Sequence, residues 1–190
     1  EQSQHFQLEA IDINKIFLEL FSQNLKAKEK EYGNNSVSAL LKQDLFQKYH
    51  QSFNKKVVHI CLGGTLGNFD DQSSEMWEIL RTNANKEDLL LLGLKSDAHL
   101  DIDLEKYKTN RYYPQFVLSH EESINPRLIS WHGSEDGYIR MIYNTYEVFR
   151  TRRFSLDSLK QESKENGFIF QDAWMCEYNH AVVALFKRTD

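Results

Sequence analysis

Apolar positions along the first half of the chain switch between a period of two and a helical period, and each switch marks an element. Phe6 to Ile11 alternates apolar and polar residues and ends at Asp12, which predicts a strand. Asn14 is placed to cap a following helix whose apolar face is Phe17, Leu18, Phe21 and Leu25. The charged stretch Lys26 to Glu31 and the turn residues Tyr32-Gly33-Asn34-Asn35 end that helix, and Val37 to Leu41 reads as a second strand closing at Asp44-Leu45. Val57 to Cys61 predicts a third strand that runs directly into Leu62-Gly63-Gly64-Thr65-Leu66-Gly67-Asn68-Phe69-Asp70. Met76, Ile79 and Leu80 give an amphipathic helix, and Asp88 opens Leu89 to Leu94, an uninterrupted apolar run expected to be buried on both faces.

Such alternation of strand and helix argues for a parallel sheet covered by helices on both sides, a doubly wound α/β architecture. From Lys95 to about Pro126 the sequence turns polar and aromatic, with Tyr107, Tyr112, Tyr113 and Phe116, and predicts an inserted, mostly helical or irregular segment. Leu128 to Trp131 and Tyr138 to Phe149 read as the two strands of an antiparallel hairpin around a turn at His132 to Gly137, extending the insert over the ligand edge. Ser155 is a good helix cap, Leu156 and Leu159 supply an apolar face, and Gly167 suits the helix end. Phe168 to Cys176 and Ala181 to Phe186 then predict a closing antiparallel pair. The expected division is a core over 1–96, an inserted substrate-binding subdomain over 97–153, and the rest of the core over 154–190.

Composition narrows the class. With 190 residues, 41% hydrophobic and 27% charged, the chain has enough apolar material for one ordinary core. A formal net charge of -5 argues against a nucleic acid as the main partner. The basic cluster Arg150-Thr151-Arg152-Arg153 reads as a solvated strand edge, where cations protect against pairing. The two cysteines, Cys61 and Cys176, lie in apolar strand-like runs, and no secretory signal or long apolar span occurs, so a cytoplasmic protein that makes no membrane contact is expected. The histidines show no His-x-x-x-His spacing and there is no Cys-x-x-Cys, so no metal is expected.

The candidate chemistry lies at the third strand's end. A buried strand ending in Gly63-Gly64 and then Gly67-Asn68 lets the backbone take positive φ and approach a ligand, at the carboxyl edge where open α/β sheets bind small molecules. A plain β-to-α turn is the alternative reading. A nucleoside triphosphate site is disfavoured because no Gly-Lys-Ser/Thr follows Gly63-Gly64-Thr65.

Leu62 to Phe69 resembles the histidine-specific, S-adenosylmethionine-dependent Nα-methyltransferases of ergothioneine biosynthesis and their relatives. Ala10-Ile11-Asp12-Ile13-Asn14 looks like that family's second-strand ending, Asp44-Leu45 like its adenine-holding pair, and the Asp88 to Gly93 strand follows in order. Tyr138-Ile139-Arg140-Met141 and Arg153-Phe154-Ser155 resemble later landmarks, so the resemblance spans nearly the whole chain. It implies a class I methyltransferase, Rossmann-like fold with a closing antiparallel hairpin and an inserted α+β subdomain. The family's donor site begins with a glycine-rich loop after its first strand. This chain starts at what resembles the second, so the first strand and glycine loop are expected to be missing, with an N-terminal segment or a second chain completing the site.

The resemblance implies a role for each matched residue. Asp12 would accept hydrogen bonds from the donor's ribose diol, Asp44 would accept from the adenine amino group, Leu45 would cover the ring, and Gly63 would let the backbone meet the methionine portion. As structural alternatives, Asp12 reads as a helix-capping residue and Asp44 as a solvated loop acid. Asn68 and Tyr107 would hold the carboxylate end of an amino-acid substrate, with Met141 and Thr151 also lining the acceptor site; a packed insert tyrosine is the alternative for Tyr107. Ungapped pairing places Phe149 where the histidine-specific enzymes hold imidazole with an acid, and Thr151 at their serine. Glu147, two residues away, is expected on the same strand face as Phe149 and could substitute. The implied activity is methyl transfer from S-adenosylmethionine to the amino nitrogen of a histidine-like amino acid or related small amine. A non-catalytic binding or regulatory module that keeps the fold without the donor loop is the second reading.

Overall fold

The computed structural model describes residues 7–12, 19–20, 23–24, 36–42, 57–61, 74–121, 123–176 and 180–189. The chain divides into two units, Glu1–Ser52 and Phe53–Asp190. In the first, β1 (Gln7–Asp12) pairs in parallel with β2 (Ser36–Lys42), and Asp12 lies opposite Lys42 at the carboxyl ends. Parallel strands need a crossover, and residues 19–20 and 23–24 within it are helical. The predicted apolar face of that helix, Phe17, Leu18, Phe21 and Leu25, lies outside the described residues, as do Asp44 and Leu45.

The second unit holds β3 (Val58–Cys61), α1 (Ser74–Asn83), β4 (Leu89–Lys95), α2 (Leu100–Thr109), α3 (Tyr113–Val117), β5 (Ile129–Gly133), β6 (Tyr138–Tyr143), β7 (Tyr146–Arg152), α4 (Leu156–Glu165), β8 (Phe168–Cys176) and β9 (Ala181–Arg188). Its main sheet has the order β3-β4-β9-β8, with β3 parallel to β4 and both later pairings antiparallel. The Asp88 carboxylate fixes the start of the parallel pair, accepting from Val57 N at 2.9 Å and Asn85 N at 2.8 Å, with His59 Nε2 at 3.3 Å.

Alternate residues Leu90, Leu92 and Leu94 of β4 and Val182, Ala184 and Phe186 of β9 are buried on one sheet face. Met76, Trp77 and Leu80 from α1 and Leu159 from α4 join them in one core. Trp77 wedges between Phe168 and Phe186, with ring centroids 5.8 and 6.1 Å away. The expectation that β4 is buried on both faces is not met among the described residues, because both helices pack on the same side. Val58 and Ile60 on the other face remain half exposed.

Ser155 caps α4 as predicted, its Oγ accepting from Ser158 N at 2.9 Å, and Gly167 after the helix has φ 78°. The chain leaves the sheet after Lys95 and rejoins it at Phe154: Phe154 N donates to Lys95 O at 3.0 Å, and Asp97 N to Phe154 O at 3.2 Å. Between these points lie α2, α3 and the antiparallel sheet β5-β6-β7. The single strand predicted over Tyr138 to Phe149 is two strands, because Asn144 and Thr145 take φ 48° and 74° and form a tight turn. At the other end of β6, Gly137 has φ 84°, and a Cβ there would lie 2.4 Å from Arg153 O. Only glycine permits this approach, which brings Arg153 N to Gly137 O at 2.8 Å.

Candidate active site

The carboxyl ends of β3 and β4 form one edge of the main sheet. Antiparallel β9 begins there, with Ala181 opposite Lys95, so His180 belongs to the same edge, its carbonyl accepting from Ser96 N at 2.8 Å. The insert leaves from this edge and returns to it, which places its side chains beside the strand ends where α/β sheets bind ligands.

Asp103 of α2 is the hub of the insert's polar contacts. Arg153 donates from Nε to Asp103 Oδ2 at 2.8 Å, from Nη1 to Thr151 Oγ1 at 3.2 Å, and from Nη2 to the Tyr107 hydroxyl at 3.3 Å. Both charges are 5% exposed, so the pair is well removed from solvent. Burial alone would raise the Asp103 pKa, but the Arg153 hydrogen bond and charge, with Lys106, hold it below the ordinary carboxylate value. His180 Nδ1 stands 3.8 Å from Asp103 Oδ1, and the His180 ring stacks on His99 with centroids 4.1 Å apart. Burial lowers the His180 pKa, helped by the charges of His99 and Lys106 against the opposing pull of Asp103.

Beside this hub the insert carries an aromatic cluster. Trp131, Met141 and Phe149 lie directly opposite one another across β5, β6 and β7, so they share a sheet face with Ile139 and Thr151. Helix α2 packs against that face, with Leu104 Cδ2 only 3.2 Å from where a Cβ on Gly133 would sit. Tyr107 stacks on Trp131 at 5.2 Å and meets Tyr113 edge-on at 4.7 Å, while Phe149 lies 5.4 Å from Tyr113 and 6.2 Å from Trp131. These rings are all only partly buried. Burial, together with the neighbouring Tyr107, raises the Tyr113 pKa and keeps its hydroxyl protonated.

The structure therefore brings together three of the predicted acceptor residues: Tyr107, Met141 and Thr151 converge on one face of the insert sheet, with Met141 fully buried. Asp12 ends β1, opposite Lys42 at the carboxyl end of its parallel pair, and Asp44 follows two residues beyond the end of β2 in sequence. Gly63 and Asn68 lie outside the described residues, as do Asp44 and Leu45. Among the described residues no group of His, Cys, Asp and Glu is placed to hold a metal ion, and no helix is long and apolar enough to cross a membrane.

Two expectations are corrected. The Arg150 to Arg153 cluster is not simply a solvated edge: Arg153 is buried on Asp103, and Arg152 pairs with Glu162 at 2.7 Å. Glu147 does not share a face with Phe149. Met141 lies opposite Phe149 but Ile142 lies opposite Glu147, a bulge that turns the acid to the outer face, where it pairs with Arg140 at 3.3 Å and Arg150 at 3.6 Å. Sequence reasoning missed Asp103, Trp131 and His180 as parts of the site. Asp103 and Tyr107 stand four residues apart on α2, the one local signal that they share a helix face.

A parallel pair closed by an antiparallel hairpin, with a segment inserted between β4 and α4, has the arrangement of class I methyltransferases, a Rossmann-like fold. Solved structures carry the same fold. An S-adenosylmethionine-dependent methyltransferase from Clostridium acetobutylicum matches with TM-score 0.53 at 11% identity, over 97% of this chain and 76% of that one. A methyltransferase from Methanosarcina mazei matches with TM-score 0.54 at 13% identity, over 96% and 82%. Magnesium protoporphyrin IX methyltransferase from Synechocystis, with bound S-adenosylhomocysteine, matches with TM-score 0.52 at 17% identity, over 95% of this chain and 64% of that one. Residues 1–147 match the histidine-specific, S-adenosylmethionine-dependent methyltransferase family, and the chain belongs to it. No curated protein matches significantly.

Proposed function

We propose that the chain methylates the amino nitrogen of an amino acid or a related small amine, and that residues 97–153 form its acceptor-binding subdomain. The observation that supports this reading is the buried Asp103–Arg153 pair, which holds the Tyr107 hydroxyl beside an aromatic wall in the segment inserted at the carboxyl edge of the main sheet. That arrangement gives a polar end for the acceptor's carboxylate and an apolar end for its side chain.

Bound S-adenosylmethionine supplies a sulfonium-activated methyl group, so the protein's own work is placement. Asp12 would hold the ribose, Asp44 and Leu45 the adenine, and the Gly63 backbone the methionine portion. Asn68 and Tyr107 would orient the acceptor, with Met141 and Thr151 supporting the wall behind it. An α-amino group has an unperturbed pKa of about 7.7 to 8.0, so a useful fraction is free base at neutral pH without a dedicated general base.

The test is calorimetric titration of S-adenosylhomocysteine into the protein expressed from its complete reading frame. Measurable binding is expected, weakened roughly tenfold or more by Asp12→Ala, with mass spectrometry showing methylated amino acid as product. Absence of donor-product binding to the wild type would sink the proposal.

A further inference from the structure

An α-amino group with a pKa of about 8 is roughly nine-tenths ammonium at pH 7, and that form must lose a proton before it can take a methyl group. We propose that His180 is the base that accepts this proton at Nε2, with Asp103 holding the imidazole in the required tautomer; this rests on the amino-acid acceptor reading above.

The two ring nitrogens of His180 have unlike surroundings. Nδ1 is buried and makes no hydrogen bond, and Asp103 Oδ1 stands 3.8 Å from it. Beside a carboxylate an N–H is favoured and a lone pair is repelled, so the proton belongs on Nδ1 and the lone pair on Nε2. Nε2 has no hydrogen-bond partner among the described residues. The spacing to Asp103 is longer than a hydrogen bond, as catalytic contacts often are before the substrate binds. A carboxylate behind the ring also stabilises the imidazolium once the proton arrives.

The backbone places this ring at the carboxyl edge of the main sheet, where open α/β sheets bind small molecules. The His180 carbonyl accepts from Ser96 N at 2.8 Å, directly after the end of β4. His180 is held at φ 52°, a left-handed conformation that side chains with a Cβ rarely adopt and that functional sites retain. Asp103 also binds Arg153, which donates to the Tyr107 hydroxyl, so one carboxylate positions both the base and the group proposed to hold the acceptor.

Burial keeps the ring neutral at rest, helped by the charges of His99, Lys106 and Lys95 against the pull of Asp103. Of the other described histidines, His99 is exposed, His59 is buried on Asp88, His120 pairs with Glu121, and His132 lies opposite Arg140 with Nε2 on Ser130. In the step itself the ammonium proton passes to Nε2, and the freed nitrogen lone pair forms the bond to the methyl carbon. The carbon–sulfur bond breaks with its electron pair left on sulfur, and the imidazolium returns its proton to water.

Two measurements on the protein expressed from its complete reading frame test the assignment. In nitrogen-15 spectra of histidine-labelled protein at pH 7.5, the His180 signals, identified by their loss in His180→Asn, are expected to show a protonated Nδ1 and a bare Nε2. The opposite tautomer overturns the proposal whatever the acceptor is. Methylation of the common amino acids, L-histidine first, is then followed from pH 6.5 to 9. Wild-type kcat is expected to stay nearly level. His180→Asn, whose side chain tolerates positive φ, is expected to lose about tenfold per pH unit below pH 8, reaching roughly a tenth of wild type at pH 7 and matching it at pH 9. Its affinity for S-adenosylhomocysteine should be unchanged, which checks folding. Parallel profiles for wild type and variant overturn the proposal and leave the acceptor reading standing. Absence of turnover by the wild type with every amino acid overturns both.

Discussion

Replacing Asp103 with leucine should be among the most damaging single changes in the insert. Arg153 is 5% exposed, and its guanidinium would keep only the neutral Thr151 and Tyr107 oxygens as partners. Lys106 is 60% exposed at the side chain, so its own contact with Asp103 is a surface pair worth little, and the loss falls on Arg153. Removing one member of a buried pair costs about 3–5 kcal/mol because the other charge is left uncompensated. For a chain of this length that corresponds to a fall in Tm of roughly 10 °C. The double variant Asp103→Leu/Arg153→Met removes both charges and should recover to within about 1–2 kcal/mol of wild type. Denaturant unfolding of the wild type, both single variants and the double variant gives the coupling energy, expected at about 2 kcal/mol or more. Additive single effects, or an Asp103→Leu cost below about 1 kcal/mol, would refute the claim that the pair is buried and interdependent.

Thr145→Gly should raise stability by up to about 1 kcal/mol in thermal melts, because a β-branched residue sits at φ 74° in the β6–β7 turn; a loss of stability would contradict the turn's geometry. His180 has its folded-state pKa held below the ordinary 6.5, so the unfolded chain binds its proton first, and stability falls as pH drops below about 6.5. His180→Asn should flatten the change in Tm between pH 7.5 and 5.5, and an unaltered pH profile would exclude this histidine as its source.

What the sequence made legible was local. The Ser155 cap, the Gly167 helix end and the alternation through β9 each depend on a few neighbouring residues, and each appears where the pattern put it. Three features were not local. The break at Asn144-Thr145 carries neither glycine nor proline, so the run from Tyr138 to Phe149 looked continuous. The bulge between Met141 and Ile142 reverses the facing of Glu147, and strict alternation cannot register one added residue. The burial of Arg153 depends on a partner fifty positions earlier in the chain, while its own neighbours, Arg150 and Arg152, suggested a solvated edge. The site shows the same division: Tyr107, Met141 and Thr151 came from a motif match and fall on one face, whereas Asp103 and Trp131 join them only through tertiary packing.

That packing explains why an ion pair occupies a position where apolar residues would hold the insert together as well. The Asp103–Arg153 contact joins α2 to the residue directly before Phe154, whose backbone pairs with Lys95 at the end of β4. Gly137 fixes the same Arg153 backbone from the other side. The guanidinium is thus anchored to the core sheet through its backbone and aims its remaining donors at Thr151 and Tyr107, which sets the orientation of the Tyr107 ring against Trp131. A leucine–methionine pair would fill the space but leave the Tyr107 hydroxyl without its donor, and the ring could rotate within the cluster. The charge pair adds little net stability; its contribution is to tie the direction of one aromatic ring to the carboxyl edge of the core sheet.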